Sequence, residues 1–90
     1  MNIWEVSILK IIDANDGSAT LKHIYSELPH YIALTIKHEE IKYRVPNYHH
    51  QTRAHIDDLM DSGDLVRIGK GTYCLTAKGH LRIGSNDNSS

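Results

Sequence analysis

Apolar residues recur with the period of an α-helix in three segments of the chain, and this pattern predicts three amphipathic helices. The first covers residues 3–14. The second begins after Thr20, whose hydroxyl suits a helix N-cap, and ends near Leu28, because Pro29 disfavours helical geometry in the residue before it. The third covers residues 49–62, and its predicted buried face consists of Thr52, Ile56, Leu59 and Met60.

Turn-forming residues separate these segments. Asn15-Asp16-Gly17 is expected to end the first helix. Between the second and third helices we expect a bend over residues 30–34, a short helix from Thr35 to about Lys42, and a break at Val45-Pro46-Asn47.

The period changes after Gly63, which is well placed to terminate the third helix as its C′ residue. The β-rich runs Leu65–Ile68 and Thr72–Leu75 flank Gly69-Lys70-Gly71, and this arrangement predicts a β-hairpin. The hairpin residues expected to face the core are Leu65, Tyr73 and Leu75.

After the hairpin, Thr76 is expected to cap a last helical turn that ends at about Leu81. Residues 84–90 contain only Gly, Ser, Asn and Asp, so we expect a disordered tail there and one folded domain over residues 1–83. The order of predicted elements is that of a winged helix-turn-helix. This is an α+β fold in which a three-helix core is followed by a hairpin called the wing.

Composition narrows the class of protein without identifying a function. The 90 residues, 40% apolar and 23% charged, suit one ordinary globular domain. Cys74 is the only cysteine, which excludes an intramolecular disulfide, and no apolar run is long enough to span a bilayer. We therefore expect a cytoplasmic protein without a membrane association.

Residues 53–79 carry a resemblance to a known family. The stretch Arg53–Val66 and the stretch Arg67–Gly79, which ends in Tyr-x-Leu-Thr-x-x-Gly, resemble the N-terminal winged-helix domain of Mrr-type restriction proteins. They also resemble small wing-bearing regulators of bacteria and phages. In the restriction proteins a nuclease domain follows, whereas this chain ends soon after the wing, so the resemblance implies DNA targeting without cleavage.

The distribution of charge favours a nucleic-acid partner more than the net charge of −1 does. Residues 41–56 contain no acidic residue, and residues 65–90 contain only Asp87. Seven of the ten Lys and Arg residues lie in these two windows, which are the approach to the third helix and the wing. Because phosphates respond to local positive potential, we predict that these windows contact double-stranded DNA.

The third helix and the wing supply the predicted DNA-binding residues. If Ile56 points inward, Gln51 and Ala54 point outward, where Gln can pair with adenine and Ala can meet a thymine methyl group. The simpler interpretations, a solvated Gln51 and an Asn47 that only caps the helix, stay open. The predicted set is Lys42, Arg44, Asn47, His50, Gln51, Arg53, Ala54, Arg67 and Lys70.

Acidic residues on the same helix leave a second function open. Asp57, Asp58 and Asp61 would repel phosphates, so only the N-terminal half of the helix would enter a DNA groove. With Asp64 they form an acidic cluster that favours a protein partner. The alternative is a protein-interaction module that binds a basic partner through Asp57, Asp58 and Asp61. A homodimer is also considered, because Trp4 and the first helix offer a face for one.

Catalytic and metal-binding motifs are weak in this sequence. His49 and His50 lie six and five positions before His55, which misses the i, i+4 spacing of paired metal ligands. Those three histidines are instead expected to gain charge near pH 6.5 on the DNA-binding face. Glu40-Ile41-Lys42 matches only a three-residue fragment of restriction-type nuclease motifs. We expect no metal, no cofactor and no enzymatic activity.

Overall fold

The computed structural model describes residues 3–32, 41–42 and 45–88, and the side chains of residues 3–32 and 49–84 among them. These residues form an α+β fold. In chain order, its elements are α1 (Ile3–Ala14), β1 (Ser18–Thr20), α2 (Leu21–Tyr31), β2 (Ile41–Lys42), β3 (Val45–Pro46), α3 (Asn47–Ser62), β4 (Leu65–Gly69), β5 (Thr72–Leu75) and α4 (Ala77–Asn88).

The hydrophobic core is built around α1. Ile8, Leu9, Ile11 and Ile12 of α1 are buried, because α2, α3, α4 and β5 all pack against this helix. The other elements supply mainly aliphatic side chains, as expected of a chain without Phe. The core residues from those elements include Ile24, Leu28, Ile56, Leu59, Leu65 and Ile83.

The predicted ends of α1, α2 and α3 use the expected local chemistry. Asp16 and Gly17 have φ values of 63° and 91°, which reverse the chain after α1. The Thr20 hydroxyl accepts a hydrogen bond of 3.1 Å from the His23 amide at the start of α2. Gly63 follows α3 with φ 89°, so the prediction of a C′ glycine is confirmed.

The hairpin of β4 and β5 is confirmed, and it belongs to a larger antiparallel sheet with the order β1-β5-β4. The strand β1 was not predicted, because the three residues Ser18–Thr20 show no apolar alternation. Pairing of Ala19 with Tyr73 makes β1 a strand. A register irregularity between Arg67 and Gly69 marks a bulge near the wing tip.

The connection between α2 and α3 differs from the prediction. The helix α2 continues through Pro29 to Tyr31. Pro29 has no N–H to donate, but it lies in the last turn, and the Ile32 amide after it still bonds to the Leu28 carbonyl. The predicted helix from Thr35 lies mostly outside the described residues, but its last two positions, Ile41–Lys42, form a strand. This strand pairs with Val45–Pro46, where only a break was predicted.

The helices α3 and α4 also extend beyond their predicted bounds. The helix α3 begins at Asn47 instead of His49. The helix α4 continues past Leu81 to Asn88 and thus includes residues 84–88 of the predicted tail. Helix propensity is a weak guide at such positions, since a formed helix can extend over poor helix formers. No helix in the described part of the chain has the length and apolar content required to cross a membrane.

Candidate functional site

The N-terminal half of α3 exposes a polar face opposite the core. Thr52 and Ile56 are 0% and 1% exposed, and they anchor the inner side of the helix. Four of the predicted DNA-binding residues are exposed on this half of the helix, as the helical period requires: His50, Gln51, Arg53 and Ala54. The predicted orientation of this helix is therefore confirmed.

Three predicted site residues, Lys42, Arg44 and Asn47, lie wholly or partly outside the described residues. Lys42 is the second residue of β2 and pairs with Val45, so the β2–β3 hairpin brings the backbone of Lys42 close to the start of α3. Asn47 is the first residue of α3. The side chains of Lys42 and Asn47, and the whole of Arg44, lie outside what the structure describes.

The wing tip lies beside the start of α2. Lys70 and Arg67 are both exposed, as predicted, and Gly71 has φ 67° in the turn that closes the hairpin. The Gly71 carbonyl accepts a hydrogen bond of 2.7 Å from the Leu21 amide, which ties the tip to the first turn of α2.

Because of this contact, Lys22, a basic residue outside the predicted site, also lies near the wing tip. Lys22 directly follows Leu21 and is exposed, so its backbone lies near the wing tip. The N-terminal end of α2 also carries the positive end of the helix dipole. No local pattern could identify Lys22, because its position depends on the pairing of Thr20 in β1 with Thr72 in β5.

Two histidines of the predicted basic face are half-buried and stack on aromatic side chains of other helices. The His49 ring stacks on Tyr25 with centroids 3.8 Å apart. Burial, and to a smaller extent the nearby His50, lowers the pKa of His49 below its ordinary value of 6.5. The lowered pKa of His49 departs from the expectation that all three histidines gain charge near pH 6.5.

His55 is the second of these histidines, and it joins α3 to α1. Its Nδ1 lies 3.2 Å from Oε2 of Glu5, and its ring stacks on Trp4 with centroids 5.8 Å apart. The Trp4 ring is half-buried and packs against the core, so it is engaged within the chain. A homodimer through Trp4 stays a prediction.

The C-terminal half of α3 exposes carboxylates. Asp57, Asp58 and Asp61 are all exposed, as the predicted helix period requires. Asp64 does not belong to this surface, because it is 0% exposed. The acidic surface therefore consists of three residues instead of four.

Asp64 is the centre of a buried polar network after α3. Its Oδ2 accepts a hydrogen bond of 2.7 Å from the Ser62 hydroxyl, and Nε of Arg82 lies 3.2 Å from its Oδ1 at an angle unsuited to a hydrogen bond. Its carbonyl accepts a hydrogen bond of 3.1 Å from the Thr76 amide. Lys78 donates to the Ser62 carbonyl at the end of α3. Arg82 and Lys78 thus contact the end of α3. Arg67 and Lys70 are the exposed cations of the wing, and Nε of Arg67 donates to the Gly69 carbonyl at 3.2 Å.

One cluster of metal-ligand type occurs among the described residues. One potential ligand atom from each of Glu5, His55 and Asp58 lies within 4.8 Å of the others. The spacing of histidines along the sequence does not indicate this cluster, because only the packing of α1 against α3 adds Glu5.

Comparison of this chain with protein-family models, with curated proteins and with solved structures found no match.

Proposed function

We propose that this protein is a winged helix-turn-helix module that binds double-stranded DNA. The observation that carries the proposal is the N-terminal half of α3, which exposes His50, Gln51, Arg53 and Ala54 without an acidic residue among them. The opposite face of the same half is fixed in the core by Thr52 and Ile56. A rigid helix end with exposed amide and guanidinium groups suits the major groove.

The arrangement of the other elements supports the same proposal. In chain order, α1, β1, α2, α3 and the β4–β5 hairpin match the succession of elements in a winged helix. The sheet order β1-β5-β4 sets the hairpin beside the helical core, as a wing requires. The long connection that holds β2 and β3 is a departure from a short helix-turn-helix turn.

In the proposed binding mode the two basic regions have different tasks. Gln51 and Arg53 read base edges at the start of α3, and Arg67 and Lys70 hold phosphates from the wing. Lys22 adds a phosphate contact next to the wing tip. Asp57, Asp58 and Asp61 keep the second half of α3 out of the groove by repulsion of the phosphates. The resemblance of residues 53–79 to wing-bearing regulators further favours a cytoplasmic bacterial or phage transcription regulator.

The proposal is tested by fluorescence anisotropy with labelled duplex DNA over a range of salt concentrations. We expect saturable binding whose log affinity falls steeply with log salt, because bound cations displace counterions from the phosphates. Lys70→Gln should weaken binding and reduce the salt slope by about one. The matched control is Lys10→Gln on α1, which lies outside both basic regions. Absence of binding at low salt would refute the proposal.

A second function is favoured by the three exposed carboxylates of α3. In this alternative, the module binds a basic protein surface through Asp57, Asp58 and Asp61. Reversal of charge separates the two functions. Asp61→Lys should strengthen DNA binding if the first is correct, and it should abolish capture of a basic protein partner if the second is.

A further inference from the structure

The cluster of Glu5, His55 and Asp58 lies where α1 packs against α3. Glu5 and His55 are half-buried, and their side chains are 19% and 22% exposed. Asp58 is exposed and lies one helical turn after His55, so both point to the same side of α3. The cluster therefore combines two half-buried potential ligands with a third at the exposed side.

The geometry of the cluster matches a small tetrahedral ion. Zn²⁺ bonds to nitrogen and oxygen are about 2.0–2.2 Å long, so two ligands on a tetrahedral ion are about 3.3 Å apart. Nδ1 of His55 and Oε2 of Glu5 are 3.2 Å apart. The three ligand atoms lie within 4.8 Å of one another, and rotation of the Asp58 side chain can close the remaining distance.

The charges of the cluster also favour a cation. Glu5 and Asp58 bring two carboxylates to one place, and a divalent ion bound there is attracted to both. The imidazole nitrogen selects a transition metal over Mg²⁺ or Ca²⁺, which prefer oxygen ligands. Stacking on Trp4 restricts the orientation of the His55 ring, which reduces the entropy lost on metal binding.

We propose that Glu5, His55 and Asp58 bind one Zn²⁺ ion that links α1 to α3, with the fourth position left to water. Glu5 and His55 are 50 residues apart in the chain, so the complete ligand set exists only in the folded state. Zinc therefore raises the melting temperature of the protein. This site does not depend on the DNA-binding function proposed above.

The test is a calorimetric titration of the chelator-treated, full-length chain with Zn²⁺, supported by the visible absorption of Co²⁺. We expect one ion per chain. Asp58→Asn, which keeps the side-chain size, should weaken binding by at least about tenfold, since even residues that only orient a ligand have effects of this size. The matched control is Asp57→Asn, the adjacent exposed carboxylate outside the cluster, and its affinity should stay within about twofold of the wild type.

A second pair of variants separates this site from the other histidines of the chain. His55→Gln should abolish the tight site and the zinc-dependent rise in melting temperature, whereas His50→Gln should retain both. Circular dichroism in chelator checks that each variant is folded. If no saturable one-to-one binding occurs, or if Asp57→Asn and Asp58→Asn weaken it equally, the cluster is only an ion pair and the proposal is wrong.

Discussion

The two halves of α3 have opposite surroundings. Its first half is free of acid, exposes polar and basic groups and follows directly on the β2–β3 hairpin. Its second half exposes three carboxylates, and the residues at its end are hydrogen-bonded to Thr76 and to Lys78 of α4. The contrast shows how one helix can be anchored at one end and present a binding surface at the other.

The anchor at the end of α3 is made largely of backbone contacts. The Asp64 amide donates to the Leu59 carbonyl at 2.9 Å and the Gly63 amide to the Met60 carbonyl at 3.2 Å, which together form a Schellman motif. The Thr76 hydroxyl oxygen lies 2.6 Å from the Gly63 carbonyl oxygen, and it accepts a hydrogen bond of 3.1 Å from Gly79. The C-cap of α3 and the N-cap of α4 are therefore one structure.

Loss of the buried carboxylate should have the largest effect on this anchor. Asp64→Ala removes the acceptor of the Ser62 hydroxyl and the partner of Arg82, and we expect a loss of about 3 kcal/mol in the free energy of unfolding. Urea denaturation measures this value. The control is Asp61→Ala, which removes an exposed carboxylate of α3 and should change the free energy of unfolding by less than about 0.5 kcal/mol. Equal effects would mean that Asp64 does not anchor α3.

A smaller loss is expected where α4 touches the anchor. A Cβ at position 79 would overlap the carbonyl oxygen of Asp64 and lie 3.0 Å from Cδ1 of Leu75, so Gly79→Ala should cost about 2 kcal/mol. Gly84→Ala in the same helix is the control, because a Cβ there meets no atom within 4 Å. The control should be neutral or stabilising by up to about 1 kcal/mol. Thermal unfolding of both variants checks the contrast.

Substitutions in the exposed N-terminal half of α3 should change DNA binding and leave the stability unchanged. Arg53→Ala should weaken binding to duplex DNA by about tenfold, with an unchanged melting temperature, because the side chain is exposed. Asp57→Asn, four residues later, should strengthen binding by a few fold through loss of repulsion. Anisotropy at one salt concentration compares the two variants. If both variants weaken binding, the proposed division of α3 is wrong.

The smallest expected effect is the pH dependence of stability that arises from His49, near the start of α3. The pKa of His49 is lowered in the folded state, so the unfolded chain takes up this proton more readily as the pH falls. Its contribution to stability is complete above pH 6.5 and is lost as the pH falls through the folded pKa. The difference in melting temperature between the wild type and His49→Gln should therefore shrink as the pH falls. The other histidines are present in both proteins, so their titration does not contribute to this difference. His50→Gln, which removes only the smaller cause of the shift, should keep most of this dependence.

Much of the fold and part of the candidate site follow from local sequence. The period of apolar residues identifies the buried faces of α1 and α3, and Thr20 and Gly63 mark helix ends, because caps and helix faces depend on residues only a few positions apart. The same reasoning orients Gln51 and Arg53 outward.

Other features arise only from contacts between distant segments. The strand β1 exists because Ala19 pairs with Tyr73, and Lys22 lies near the wing tip for the same reason. Asp64 looks in sequence like its neighbour Asp61, yet Ser62, Thr76 and Arg82 surround it. Helical periodicity and capping chemistry thus determine the helices and their faces. The tertiary structure alone decides which charges are buried and which histidines are engaged, because burial depends on pairing between residues far apart in the chain.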